Sequence, residues 1–291
     1  MNESSGPVCA VLDLGSNSFH LLIGRLANGR LVTLDRRKDM VRLAQGLEGD
    51  GQLSEPVMGR ALDSLTVFAQ QLRNIPRSNV RVVGTNTLRA AHNADVFLER
   101  AEKIIGAPVD VISGQEEGRL IFLGVAKGHA SNAIRRLVVD IGGGSTEFIV
   151  GRRKAKRVES LFIGCVSMSE RFFPERRFTR EGYRRALTLA RAEIQHLADG
   201  YGAARWDEAV GTSGTIRYVE AVIDRIVVKA GIDRVHFGLV MMTATTLGSM
   251  TPPVGVAMYT VCGLLDTPMD EYAREALPLI VAVVALIFTM A

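Results

Sequence analysis

The sequence predicts an α/β protein built from a duplicated domain, and three observations carry that prediction. Val11-Leu12-Asp13-Leu14-Gly15-Ser16-Asn17-Ser18 recurs 127 positions later as Val138-Val139-Asp140-Ile141-Gly142-Gly143-Gly144-Ser145, with Asp, Gly and Ser in register. Gly84-Thr85-Asn86 answers Gly211-Thr212-Ser213 at the same offset, and two pairs sharing one spacing argue for duplication rather than for chance Gly-rich turns. Short apolar runs alternate with segments of helical period, in the order of strands and helices.

Residues 8–26 read as a strand, the loop at 15–18 and a second strand, with a third near 31–35 completing a meander. Ser54 is placed as a helix cap with Pro56 in the first turn. Met58, Leu62, Leu65, Ala69 and Leu72 then form one apolar helical face. Val80-Arg81-Val82-Val83 is a buried strand entering Gly84-Thr85-Asn86-Thr87-Leu88-Arg89. A helix to about residue 105 and a strand at 109–112 follow, ending in the turn Ser113-Gly114. The second half restarts with strands at 137–141, 147–152 and 159–163, then a helix presenting Tyr183, Leu187, Ala190, Ile194 and Leu197. A strand at 206–210 leads into Gly211-Thr212-Ser213-Gly214-Thr215. Three strands, helix, strand, helix, strand resembles one half of an actin/hexokinase-type pair of ribonuclease-H-like domains. The expected division is 1–130 for the first domain, 131–222 for a second that lacks its last strand and helices, and 223–291 for a tail.

That tail is apolar and membrane-like. Residues 237–265 run for 29 positions without a charge, broken by Thr251-Pro252-Pro253-Val254-Gly255. A charge-free run of this length is a membrane candidate, and the Pro-Pro break implies a discontinuous helix. A buried core hairpin is the alternative. The last segment, 276–291, has sixteen residues, short of the roughly twenty that a span requires.

Composition sets further bounds. The 291 residues are 47% hydrophobic and 23% charged, enough for two domains with a core, and the net charge is +4. The mean hydropathy of +0.15 is raised by the tail. Residues 236–291 carry Arg274 against four acids, a net −3, which leaves +7 on the preceding 235 residues. A polyanionic substrate fits this balance, as does a plain solvated basic surface. No basic run with interleaved aromatics points to nucleic acid. Cys9, Cys165 and Cys262 lack metal-ligand spacing and fit buried thiols in a reducing compartment. The N-terminus shows no basic region leading into an apolar run, so no signal peptide is expected. The expected location is cytoplasmic for residues 1–222, with the tail in the inner membrane and membrane contact through 237–291. Oligomeric state is not readable.

Asp13-Leu14-Gly15-Ser16-Asn17-Ser18-Phe19-His20, Ser113-Gly114-Gln115-Glu116-Glu117, Asp140-Ile141-Gly142-Gly143-Gly144-Ser145-Thr146-Glu147 and Gly211-Thr212-Ser213-Gly214-Thr215 together resemble the exopolyphosphatase / guanosine pentaphosphate phosphohydrolase family. The resemblance implies a magnesium-dependent phosphoanhydride hydrolase that acts on inorganic polyphosphate or guanosine pentaphosphate. It also implies that Glu117 is the catalytic base and Arg89 a phosphate-binding arginine. Gly118 departs from the family's usual Ala, which loosens the helix start and removes no functional group. Gly231-Ile232-Asp233-Arg234-Val235-His236-Phe237-Gly238 with the Pro-Pro segment resembles the C-terminal end of the large membrane subunit of TRAP-type dicarboxylate transporters. The join falls between residues 218 and 229.

Phosphoanhydride hydrolysis needs donors for phosphate oxygens, a cation and a base that orients water. Backbone N–H groups and hydroxyls of Gly15, Ser16, Asn17, Ser18, Gly142, Gly143, Gly144, Ser145, Gly211, Thr212, Ser213, Gly214 and Thr215 form the candidate phosphate cradle, with Arg89. Asp140 and Glu147 flank the second loop and suit Mg²⁺, and with Glu117 they form the candidate catalytic set. Asp13 either joins this chemistry or only accepts hydrogen bonds from loop amides. Glu116 reads as a solvated helix-start acid, and Glu147 and Arg89 each have a plain surface reading. No spacing among His20, His92, His196 and His236 suits a metal. Beside the hydrolase stand two other readings: an inactive fusion or truncation product, and a membrane component of a transporter with a phosphatase-like head.

Overall fold

The structure, a computed structural model, describes residues 6–27, 30–128, 133–202 and 205–229. The chain divides into two compact units, Met1–Ile216 and Arg217–Ala291. The first unit contains two sheets with the same connectivity.

β1 (Val8–Leu14), β2 (Phe19–Ala27) and β3 (Arg30–Asp39) form an antiparallel meander. β4 (Val80–Gly84) and β5 (Val109–Val111) join in parallel, giving the order β3-β2-β1-β4-β5. Alternation turns Ala10, Leu12 and Leu14 of β1 and Phe19, Leu21 and Ile23 of β2 to one face. α1 (Glu55–Leu72) covers it with Met58, Ala61, Leu65, Phe68 and Leu72, and α3 (Ala94–Ile105) adds Phe97 and Ala101. Each large side chain buried here is worth about 1.5–3 kcal/mol. The single helix expected up to residue 105 is two, α2 (Asn86–Ala90) and α3. Between them the His92 N–H donates to Gly51 O, and the Asn93 side chain bonds both the N–H and the C=O of Leu53. These contacts take the backbone out of helical geometry.

β6 (Arg136–Ile141), β7 (Thr146–Gly151) and β8 (Ala155–Leu161) repeat the meander. β9 (Glu208–Thr212) pairs in parallel with β6, giving β8-β7-β6-β9. Among the described residues this is the first sheet without a counterpart of β5. The 127-residue offset maps that counterpart to position 236 onward, outside the described residues. The expectations for the tail at 237–291 lie there too. Among the described residues, no helix is long and apolar enough to cross a membrane.

α4 (Gly114–Gly128) precedes β6 in the chain yet packs on the second sheet, where Phe122 and Ala126 meet Val138 and Ile149. A division at residue 130 therefore separates α4 from the sheet that it covers. The opposite face buries Leu137, Val150 and Leu161 beneath Leu197 and Tyr201. α5 (Cys165–Phe172) has no counterpart in the periodicity. α6 (Arg180–Gln195) and α7 (Ala198–Tyr201) follow, and α8 (Ser213–Lys229) leaves β9. The apolar stripe expected on α6 is only partly covered: Tyr183 is 61% and Ile194 40% exposed, Leu187 and Ala190 are half-buried, and Leu197 just beyond the helix is buried. Gly182 and Ala186 face inward instead, while Arg171 of α5 and Arg185 of α6 hold the Phe172 ring between them. Two ion pairs fasten β9 to β6, Arg135–Asp207 at 2.6 Å and Arg136–Glu208 at 2.7 Å.

Candidate active site

Strand register builds the site. Across the second sheet Asp140 on β6 stands opposite Glu147 on β7, which stands opposite Ser160 on β8. Across the first sheet Asp13 stands opposite His20, and His20 opposite Lys38. Directly opposed residues share a face, so each set is a row of three side chains. The offset of 127 carries Asp13 onto Asp140 and His20 onto Glu147, making the two rows equivalent.

The loops that end β1 and β6 meet. A Cβ on Gly143 would lie 3.0 Å from both the backbone N and the Cβ of Asn17, so this approach requires glycine. Not every expected phosphate donor is free. Ser16 is buried, and its Oγ accepts from the Thr87 N–H at 3.3 Å and the Thr87 hydroxyl at 2.8 Å. The Gly142 N–H donates to Ser145 O at 2.9 Å, and Ser18 and Ser145 are buried. These groups shape the loops. Gly15, Asn17, Gly143 and residues 212–215 keep partly open surface, Gly211 is exposed, and Gly144 is buried. Ser213 holds φ +75°, a strained value for a residue with a side chain, and its hydroxyl donates to Ile141 O at 2.7 Å.

Four carboxylates converge. Glu117 lies in the first turn of α4, and Arg89 Nη1 donates to its Oε2 at 3.1 Å and to Ile112 O at 2.6 Å. Burial raises the Glu117 pKa, with Arg89 opposing and Asp140 adding to the rise. Glu147 is pushed up to about 7, first by burial and then by the charge of Glu117, while Ser160 donates to it at 2.8 Å. Burial raises Asp140 against the Thr212 hydroxyl, which donates at 2.6 Å. Asp13 is also pushed up to about 7, by burial and then by Glu117 and Asp140, and its Oδ1 is buried without a partner. The reading of Asp13 as an acceptor for loop amides does not account for Oδ1. Glu116 instead faces out and pairs with Arg119 at 2.7 Å.

The donor set suits a hard cation. Asp140 and Glu147, directly opposed on neighbouring strands, repel each other when both are ionised. Asp13 Oδ1 adds an unsatisfied acceptor. Among the described residues, no three His, Cys, Asp or Glu side chains converge tightly enough for an all-protein cage. Mg²⁺ takes one or two carboxylates and completes its shell with waters and phosphate oxygens.

Sequence reasoning left Asp13, Ser160 and Thr87 outside the candidate set. The repeat itself pointed to Asp13, since it aligns with Asp140. Ser160 and Thr87 carry no motif signal and emerge only from strand pairing and loop contact.

Comparison with known proteins agrees with this geometry. The model of the Ppx/GppA phosphatase family matches residues 22–241. The chain belongs to the Ppx/GppA phosphatase family. A relative from Vibrio atlanticus (strain LGP32), named guanosine-5'-triphosphate,3'-diphosphate pyrophosphatase, is 44% identical over 239 residues, covering 80% of this chain and 48% of the relative. The chain thus spans about half the length of the curated relatives it matches. An exopolyphosphatase from Cytophaga hutchinsonii superposes with a TM-score of 0.66 at 32% identity, covering 72% of this chain and 67% of that one. The Aquifex aeolicus Ppx/GppA enzyme gives 0.58 at 31% identity, over 72% and 69%. Residues 214–291 match a second model, the DctM component of tripartite ATP-independent periplasmic transporters. The two family matches overlap at residues 214–241, around the join expected from sequence.

Proposed function

We propose that this chain hydrolyses a terminal phosphoanhydride, releasing orthophosphate from guanosine pentaphosphate or inorganic polyphosphate. The observation that carries this reading is Glu117, a half-buried carboxylate fixed by Arg89 next to Asp140, Glu147 and the facing glycine loops. Burial raises the Glu117 pKa, which makes its carboxylate a better proton acceptor. In the proposed step a water oxygen bonds to phosphorus as the bridging P–O bond breaks on the opposite side. Glu117 accepts the water proton, and the shortened chain leaves. Arg89 keeps the carboxylate aimed and turns its remaining N–H donors toward phosphate oxygens. The loops at 15–18, 142–145 and 211–215 hold the phosphates in line.

Asp140 and Glu147 would hold Mg²⁺. Bound there, the ion supplies charge neutralisation on the phosphate oxygens. We assign residues 1–222 to the cytoplasm, in keeping with the unpaired Cys9 and Cys165. Membrane contact through 237–291 rests on the transporter-like match alone. Orthophosphate release by the wild type and by Glu117→Gln tests the mechanism, and equal rates would remove Glu117 from it.

A second reading, a folded but inactive hybrid with an incomplete second domain, is favoured by the exposure of Phe162 at 71% and Tyr183 at 61%. A wild type that releases no orthophosphate from either substrate would select it.

A further inference from the structure

The two equivalent rows differ in sign. In the second sheet the row is Asp140, Glu147, Ser160, an acidic set that suits a cation. In the first it is Asp13, His20, Lys38. The duplication has therefore kept the first acid, replaced the second by an imidazole and ended the row on an ammonium. Lys38 lies on an edge strand, is exposed, and has no carboxylate within ion-pair distance among the described residues.

Lys38 Nζ does not point idly into solvent. A Cβ on Gly214 would lie 3.9 Å from it and would meet nothing else within 4 Å. The ammonium thus hangs over an otherwise open space above the third phosphate loop. That loop begins α8, a helix of 17 residues whose first N–H groups carry partial positive charge. An ammonium facing a helix N-terminus is a like-sign juxtaposition, unfavourable unless an anion lies between them. Neighbouring groups keep the sign of the pocket. Burial, then Lys38, then Arg36 lower the His20 pKa. His20 also shares a 2.8 Å hydrogen bond with Ser18 of the first loop. One face of the first sheet therefore offers an imidazole and an ammonium, with the unpartnered Asp13 Oδ1 at its inner end, and the ammonium reaches Gly214 of the third loop.

We infer that Lys38 is a substrate-binding residue that closes over the third loop and clamps a non-reacting phosphate of the anionic chain against residues 213–215. The second-sheet row carries two acids and suits a cation, whereas the first-sheet row ends on an ammonium that suits an anion. This rests on the phosphoanhydride reading above. It adds a second phosphate subsite, set apart from the reacting phosphoryl group at Glu117. A chain with several phosphates can fill both subsites at once, whereas a single orthophosphate can fill only one. Lys38 is then a determinant of selectivity for polyphosphorylated substrates.

The test uses the purified full chain and sodium tripolyphosphate as probe. Wild type, Lys38→Met, Lys38→Arg and the remote control Lys127→Met are compared by calorimetric titration and by steady-state orthophosphate release. A charge-assisted contact to phosphate is worth about tenfold or more in affinity. Lys38→Met is therefore expected to weaken tripolyphosphate binding about tenfold and to raise KM by a similar factor, with kcat within about twofold. Lys38→Arg should retain most of the affinity, and Lys127→Met all of it. Wild-type affinity in Lys38→Met, a fall in kcat at unchanged KM, or no tripolyphosphate binding by the wild type would each overturn the assignment. A wild type that binds tripolyphosphate without cleaving it sinks the hydrolase reading alone, and Lys38 is then judged by affinity.

Discussion

Asp13→Asn is the substitution whose outcome follows most directly from the carboxylate cluster. Asp13 is raised from 3.8 to about 7 because burial and the charges of Glu117 and Asp140 disfavour its ionised form. A difference of that size corresponds to about 4 kcal/mol against the folded state once both pKa values are passed. The folded value lies above the unfolded one, so the favourable contribution belongs to the protonated carboxyl. It is fully present below pH 4 and is lost as pH rises through 7. Asparagine keeps the shape and cannot ionise. In EDTA at pH 8, Asp13→Asn should be about 2–4 kcal/mol more stable than wild type, with the advantage gone at pH 4. For a domain of this size that is a rise in Tm of roughly 5–15 °C. Urea denaturation followed by circular dichroism at the two pH values measures it. Excess Mg²⁺ at pH 8 should narrow the gap, because a cation that binds the folded state stabilises the wild type preferentially. An Asp13→Asn chain that is less stable than wild type at pH 8 in EDTA would refute the idea that this carboxylate is held under electrostatic stress.

Two further substitutions probe the framework. Gly118→Ala restores the residue usual in the family, but its Cβ would stand 2.5 Å from Val158 Cγ1 and 3.2 Å from Ile149 Cγ1. Overpacking of about 1–3 kcal/mol should outweigh the roughly 1 kcal/mol gained in helix propensity, and adding Val158→Ala should restore stability. Denaturant titration of the single and double variants decides this. Arg136 is 2% exposed and bonds Glu208 at the root of β6 and β9, so Arg136→Met should lower stability by about 2 kcal/mol. An unchanged urea midpoint would mean that the pair does not hold β9.

Much of this fold was legible because both sheets carry strong alternation and because the repeat fixes their correspondence. The meanders, α1 and the strands entering each loop appear where the pattern places them. The break at His92 and Asn93 was hidden because its cause, the Asn93 bonds to Leu53, joins residues forty positions apart. The α6 stripe was partly informative: Leu197 is buried while Tyr183 and Ile194 are exposed, because periodicity reports an apolar face without saying what covers it. α4 illustrates the same limit: its amphipathic pattern is visible, yet only packing reveals that it serves the second sheet. At the site, the glycine loops and the acids Glu117, Asp140 and Glu147 come from motifs. The engagement of Ser16 by Thr87 does not, because a serine hydroxyl turned to a neighbour and one turned to a ligand share one letter. Gly118 changes in meaning as well: a residue that looked like a loosened helix start is a close contact between α4 and β8.

The central claim is that Glu117, held by Arg89 between the two loops, takes the proton from the attacking water. Orthophosphate release from guanosine pentaphosphate and from polyphosphate, measured with Mg²⁺ for the wild type and for Glu117→Gln at matched folding, tests it most directly. The account predicts measurable wild-type turnover and a loss of about 10²–10⁴ in kcat for Glu117→Gln, with KM little changed. A Glu117→Gln chain that turns over at the wild-type rate would contradict it.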